Sequence, residues 1–485
     1  MKRIKTIKVI GGGLAGTECA WQLAQGIEKH NLPYKVKLYE MRPQVKTPAH
    51  HTDNLAELVC SNSLGSELLT TARGVLIHEM MKFNSLIISA AKHAQVPAGQ
   101  ALAVDRDSFA KYITEAIERH PCIEIIREEF RENLCEYLEN GTHIVIASGP
   151  LTSEHLAKNI TNLLNQTPQS LSHSATQSPF LHFFDAAAPI VDAESINMNI
   201  AFKASRYGKT SIKQMDCHAP TGLAMTEPDG DYINCPFYSQ EDFDKFYNAL
   251  MTAERAPLKE FEKETAKFFQ GCMPIEKIAE QGQKTLCFGP LKPVGLRDPR
   301  NPERKPVAVV QLRQDNVAGS LYNIVGFQTN LKWGEQKRVF SMIPGLENLE
   351  ILRYGVMHQN IFINSPIFLN ADMSLKTSSN IFFAGQITGV EGYTESAGTG
   401  IVVARAILGK LNADVVEYLP QETMLGALAH YISSADPKHF QPINSNWGLI
   451  NTDPENLDKK YRKDKRLRQE FLAERALKEI ALLSS

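Results

Sequence analysis

The stretch that most constrains this chain is a glycine turn near its amino terminus. Residues 6–10, TIKVI, are a short β-branched run; Gly11, Gly12, Gly13, Leu14, Ala15 and Gly16 follow, and TECAWQLAQ then repeats apolar residues at helical spacing. Strand, turn and helix in that order predict the opening of a βαβ unit. A second strand, YKVKLYE, ends at Glu40, roughly 20 residues beyond the glycines, where an acid accepts hydrogen bonds from a ribose hydroxyl. Gly11 then permits the tight turn, Gly13 lets a pyrophosphate approach the backbone, and Gly16 allows helix and strand to pack closely, while the helix N-terminus supplies partial positive charge. A lone GxGxxG also occurs in plain βα turns. Here strand, helix and terminal acid are all in register, which points to dinucleotide binding.

The pattern returns late in the chain. Residues 380–408, NIFFAGQITGVEGYTESAGTGIVVARAIL, give an apolar strand ending at Ala384, a glycine-rich loop and a helix. This is similar to the segment that closes the cofactor domain in FAD enzymes of the glutathione-reductase type, where amides at the helix N-terminus face the flavin. A simple NAD dehydrogenase needs no such return. Gly385, Gln386, Gly392, Tyr393 and Gly398 therefore join the expected cofactor residues. The usual pattern has Asp where this chain has Gln386, and an amide donates as well as accepts, so the ribityl contact differs in kind. The expected fold class is α/β: a Rossmann-like FAD-binding domain of glutathione-reductase type in two parts, 1–185 and 341–450. An inserted α+β domain on a mixed sheet interrupts it at 186–340, and a basic helical tail occupies 451–485. The helical pattern RDSFAKYITEAIER and the strands CIEII and HIVIASGP continue the first part, and the polar stretch 161–178 reads as a loop or a weakly structured helix edge.

Composition narrows the remaining classes. The 485 residues carry 52 Lys and Arg against 54 Asp and Glu, a formal net charge of −2, so any nucleic-acid partner would have to be held by local basic patches. The eight cysteines form no CxxC pair and no zinc-type spacing, which predicts free thiols and no metal site. No apolar run reaches the roughly 18 residues that span a bilayer, and the apolar stretch at the start is too short for a signal peptide. A reducing cytoplasm is the expected compartment.

The segment 39–64, YEMRPQVKTPAHHTDNLAELVCSNSL, is far more specific. It resembles the bacterial folate- and FAD-dependent tRNA uracil-5-methyltransferases. VPAGQALAVDRDSF, FFDAAAPIV, YINCP, GCMPIE, FGPLKPVGL, VVQLRQDN, NIVGFQTNLKWGEQKRVF and LGALAHYI agree with the same family, so the resemblance covers nearly the whole chain. One departure is the connection between Arg206 and Tyr232, which is longer than usual and carries Cys217.

The resemblance implies FAD as cofactor, 5,10-methylenetetrahydrofolate as one-carbon donor, NADH or NADPH as reductant, and a uridine in the T loop of tRNA, position 54, as substrate. With no second Rossmann fingerprint, the nicotinamide nucleotide is expected to dock transiently against the flavin. Carbon 5 of uracil is a poor nucleophile until a thiolate adds to carbon 6, so a cysteine is needed. Cys60 and Cys235 are the two that the resemblance singles out. Cys235 is assigned to carbon 6, and Cys60, near the flavin, to removing the carbon 5 proton or protecting the flavin adduct; the two roles are interchangeable on sequence grounds. The other six thiols are read as inert, Cys272 least firmly. Arg42 is expected at the adenosine end of the cofactor or paired with an acid. His50 or His51 is a candidate contact for flavin, folate or phosphate, and Tyr354 either stacks on a ring system or packs in the core. For RNA, residues 459–468, KKYRKDKRLR, carry seven basic side chains and one acid on a helix with Leu467, Phe471 and Leu472 on its apolar face, and Lys332, Lys337 and Arg338 surround Trp333. Both sets also fit ordinary solvated or packing faces. The competing readings are the same chemistry on ribosomal RNA, a flavin-dependent NAD(P)H reductase, and a non-catalytic RNA-binding flavoprotein.

Overall fold

The computed structural model describes residues 4–47, 49–166, 180–208, 230–257, 273–412, 418–450 and 458–484. The helix Glu154–Asn165 runs into the polar stretch 161–178; the remainder of that stretch after Gln166, the long connection after Arg206, Cys217 and Cys272 lie outside the described residues.

Two sheets organise the chain. The first has six strands in the spatial order Ser374–Leu375, Ser378–Phe383, Ile144–Ile146, Lys5–Ile10, Tyr34–Tyr39 and Ile123–Ile126. All its pairings are parallel except that of the first two strands. The late strand therefore inserts beside Ile144–Ile146, so a single sheet is built from both ends of the chain. Ile7, Val9, Val36 and Leu38 are fully buried, as strands covered on both faces require. The helices Leu14–Lys29 and Tyr393–Asn412 cross against one another at close range. A Cβ at Gly400 would stand 2.4 Å from the Ala15 carbonyl oxygen, so only glycine lets the two backbones approach this far.

The inserted sheet is antiparallel throughout, in the order Phe202–Lys203, Tyr232–Phe237, Ala308–Gln314, Leu321–Ile324, Ile190–Asp192 and Ile351–Arg353. The mixed sheet expected for this region is not formed, because every neighbouring pair of strands runs in opposite directions. Its last strand also carries the sheet past residue 340. A second core lies under it, with Phe237, Phe243, Phe246, Phe327 and Phe340 in edge and tilted contact. Chain enters and leaves this unit along an antiparallel ribbon, Phe180–Ala186 paired with Met357–Ile363.

The tail ends in the helix Lys465–Ser484, which buries Leu472, Ala473, Ala476 and Ile480 in the core of the cofactor domain. Phe471 is partly buried and stacks on Tyr461 at 4.4 Å, whereas Leu467 stays exposed. The tail is thus a packed element, with Lys460, Arg462, Lys463, Lys465 and Arg466 exposed on its solvent side.

Gly400→Ala is expected to lower unfolding stability by about 1–3 kcal/mol, the usual cost of overpacking, while retaining the fold. Urea unfolding of the two proteins would show it; equal midpoints would mean that the helices slide apart at no cost.

Candidate active site at the domain junction

A cavity of about 320 Å³ opens at the carboxyl ends of the first sheet, and the glycine turn forms its floor. The turn has the local geometry the sequence required. Gly11 sits at φ +108°, and a Cβ there would fall 2.4 Å from the Ala147 oxygen. Beyond it the helix Leu14–Lys29 makes its first bond from Thr17 N to Gly13 O, and no side chain caps the terminus. The amides of Leu14, Ala15 and Gly16 therefore have no helical acceptor and no partner among the described residues, and those of Leu14 and Ala15 stand at the cavity wall. At Gly13 an added Cβ would meet nothing within 4 Å. Open space over unspent amides at a helix N-terminus suits a pyrophosphate, and this is the feature that makes the cavity fit a dinucleotide cofactor.

Glu40 lies where the sequence put it, one residue past its strand. Its carboxylate accepts from Gly12 N at 3.1 Å and from Arg42 N and Nε at 3.0 Å each. Burial pushes this carboxyl up, but the hydrogen bonds and charge of Arg42 outweigh that and hold it below the usual range. Arg42 also bonds Glu57 at 3.1 Å and the Thr52 carbonyl at 3.0 Å, so it organises the loop after the strand. Of the two histidines, His50 lines the cavity and its Nδ1 lies 2.6 Å from Thr47 Oγ1. Burial, then the nearby Arg42 charge, lowers it to about 4, so it is neutral at physiological pH. His51 is exposed and does not line the cavity.

On the opposite wall, Gln386 donates to Glu391 at 2.6 Å, which leaves its Oε1 without a partner among the described residues, and Gly385 N is held by Thr399 Oγ1 at 2.6 Å. Gly11, Gly12, Gly13, Leu14, Ala15, Glu40, Arg42, Cys60, Gly385, Gln386, Gly392 and Tyr393 all line this one space. Gly16 and Gly398 do not. Gly16 packs on the turn itself, and a Cβ at Gly398 would strike Leu425 at 2.7 Å, so Gly398 serves a helix contact in place of the expected cofactor contact.

The two singled-out thiols are separated. Cys60 is half-buried on the cavity wall, its amide donating to Tyr393 Oη at 2.9 Å and its Sγ to the Ala186 carbonyl at 3.5 Å. Cys235 is fully buried in the second core, outside the cavity, and burial pushes its thiol far up. The reason is the period of two along Tyr232–Phe237. Tyr232 and Asn234 pair with Arg313 and Gln311 on the face that meets the cofactor domain, whereas Ile233, Cys235 and Phe237 turn the other way. Tyr232 Oη reaches the Ala98 carbonyl at 2.9 Å, and Arg313 reaches Asn62 Oδ1 and Ser61 Oγ at 2.8 Å each.

Sequence reasoning missed the groups that hold the Cys60 segment. Arg106 donates to the Leu58 carbonyl at 2.6 Å and the Cys60 carbonyl at 2.8 Å, and pairs at 3.0 Å with Asp315 of the insertion. Arg313 grips the same segment from the other side. A basic residue directly after an N-cap, as Arg106 follows Asp105, opposes the helix dipole, and that local cost was the available signal. Tyr354 stacks on Trp333 at 5.2 Å, while Lys332 and Arg338 pair with Glu254 and Glu335, which spends much of the charge expected there for RNA.

The family model described as glucose inhibited division protein A matches residues 6–414. A protein of Brevibacillus brevis named methylenetetrahydrofolate--tRNA-(uracil-5-)-methyltransferase TrmFO is 52% identical over 97% of this chain and 96% of its own length. The chain belongs to the TrmFO family. A TrmFO of Listeria monocytogenes is likewise 52% identical over 98% of both chains. Among solved structures, Aquifex aeolicus GidA superposes with a TM-score of 0.64 at 16% identity, over 100% of this chain and 74% of that one, which shows a shared fold. No helix among the described residues is long and apolar enough to cross a membrane.

His50 has its folded pKa depressed to about 4 against about 6.5 unfolded, so the stability it contributes is present above about pH 6.5 and is lost as pH falls toward 4. In His50→Gln that decline is expected to begin only lower, where Glu40 and Glu57 take up protons; coincident pH–stability curves for the two proteins would refute the assignment. Arg106→Met leaves Asp315 buried and unpaired, at a cost of about 3–5 kcal/mol. It should also raise the rate at which a thiol reagent labels Cys60, read against the Cys60→Ala protein as background.

Proposed function

We propose that this protein methylates carbon 5 of the T-loop uridine in tRNA, with 5,10-methylenetetrahydrofolate as one-carbon donor and FAD, reduced by NADH or NADPH, as carrier and reductant. The observation that carries the reading is a half-buried thiol, Cys60, on the wall of a dinucleotide-shaped cavity, in a chain about half identical over nearly its full length to relatives named for this reaction. The cytoplasm, where tRNA and reduced thiols coexist, is the corresponding compartment.

When bound, FAD supplies redox chemistry and transfer of the one-carbon unit. The chain's own residues do the rest. The amides after Gly13 would hold the pyrophosphate, and Glu40, fixed by Arg42, would accept from the ribose. The Gln386 oxygen would be available to a ribityl hydroxyl, and Tyr393 fixes the Cys60 backbone. We assign the reacting thiol at the cofactor to Cys60, adding to carbon 6 or taking the carbon 5 proton from a uridine flipped out of its loop. Cys235 is supported only as a packing residue, because a thiol inside an apolar core is neither accessible nor readily ionised. This reverses the weight the sequence placed on it.

The test is methyl transfer from labelled methylenetetrahydrofolate to tRNA and to ribosomal RNA by wild-type protein and the Cys60→Ala, Cys235→Ala and Cys272→Ala variants. Label in tRNA is expected, with activity down at least about 100-fold in Cys60→Ala, on the scale of lost covalent or acid–base catalysis. Cys235→Ala should lose stability of about 1 kcal/mol with turnover nearly unchanged. Full activity in Cys60→Ala would overturn the assignment, and label confined to ribosomal RNA would overturn the substrate.

A further inference from the structure

The cavity wall beside Gly392 and Tyr393 carries a cation that the reading above leaves unused. Arg73 lies on the helix Ala72–Lys82 and lines the cavity. Its Nε and Nη2 donate to Glu395 Oε1 at 3.1 and 3.0 Å. Its Nη1 has no partner among the described residues. The side chain is 32% exposed, whereas that of Glu395 is fully buried.

Two further features fix where this guanidinium points. Glu395 is already saturated: Ser445 N and Oγ donate to Oε1 at 3.0 and 2.6 Å, and Thr394 Oγ1 donates to Oε2 at 2.9 Å. The carboxylate is therefore a rigid anchor, which holds the fork of Arg73 at one angle. The side chain also runs through the space that any residue other than glycine at position 65 would need, since a Cβ there would lie 1.9 Å from Arg73 Cδ. Gly65 and Glu395 together steer a cation to the start of the helix Tyr393–Asn412, with Arg73 Nη2 only 3.3 Å from where a Gly392 Cβ would be.

We propose that Arg73 contacts the cofactor, its Nη1 donating to the pyrimidine edge of the flavin, an inference that rests on the FAD reading of the cavity. Hydride transfer from NADH or NADPH breaks the nicotinamide C4–H bond and forms an N5–H bond on the flavin. The electron pair leaves negative charge over flavin N1 and the C2 carbonyl, and oxidised nicotinamide departs. A charge-assisted donor at that edge binds the reduced form more tightly than the oxidised one. The alternative is that Arg73 only neutralises the buried Glu395.

Reduction equilibria of the bound flavin separate the two. Wild-type, Arg73→Lys and Arg73→Gln holoproteins are titrated with a redox dye of known potential while flavin absorbance and the melting temperature are followed. Arg73→Gln is expected to move the equilibrium about tenfold toward oxidised flavin, about 30 mV for a two-electron couple. Arg73→Lys, which keeps the charge at Glu395 but loses the planar fork, should move it part of the way with little change in melting temperature. Wild-type equilibria in both variants, with only the melting temperature reduced, overturn the proposal and leave the FAD reading intact. A wild-type protein without flavin absorbance overturns both.

Discussion

Two buried arginines from opposite sides of the domain junction close on one short stretch of chain. Arg106 reaches the carbonyls of Leu58 and Cys60, and Arg313 reaches the side chains of Ser61 and Asn62. Neither cation is in water, so each is tolerable only with its partners in place: Asp315 and carbonyls for Arg106, amide and hydroxyl oxygens for Arg313. Such a set of bonds has one good geometry. It fixes the position of Cys60 and the angle between insertion and cofactor domain together, because the same side chains serve both.

The cavity is assembled on that frame from parts that local rules already favour. The glycine turn leaves amides unspent, Glu40 is held in its ionised form by Arg42, and the returning segment brings Gln386 and Tyr393 to the facing wall. Glu395, anchored by Ser445 and Thr394, adds a second rigid charge there, balanced by Arg73. Polar groups of this kind are costly to bury singly, and here they occur as linked sets. The cofactor site and the domain junction thus share a boundary at Cys60 and Tyr393, where the one bonds the other.

Much of this was legible residue by residue. Gly11 had to adopt positive φ, Glu40 had to follow its strand, and the segment ending at Ala384 had to rejoin the first sheet, because turn chemistry and apolar runs are local properties. Cys235 shows the opposite case. The alternation in YINCPF, polar at 232 and 234 and apolar at 233, 235 and 237, groups this cysteine with Ile233 and Phe237, whereas the family resemblance alone points to a catalytic thiol. Gly398 shows the same ambiguity, because a glycine-rich loop and a glycine-dependent helix crossing look alike in one dimension. Arg106 and Arg313 gave little warning, since their partners lie about 50 to 250 residues away in sequence.

The sequence by itself determined the dinucleotide turn, the split cofactor domain and membership in a family of tRNA methyltransferases, since each depends on short-range spacing or on resemblance along the whole chain. Only the tertiary structure decided which thiol meets the cavity, which basic residues are spent on internal acids, and which glycines pack and which line the cavity. Those outcomes turn on which face of a strand or helix is buried against which neighbour. That is a property of packing between distant segments, and no local pattern carries it.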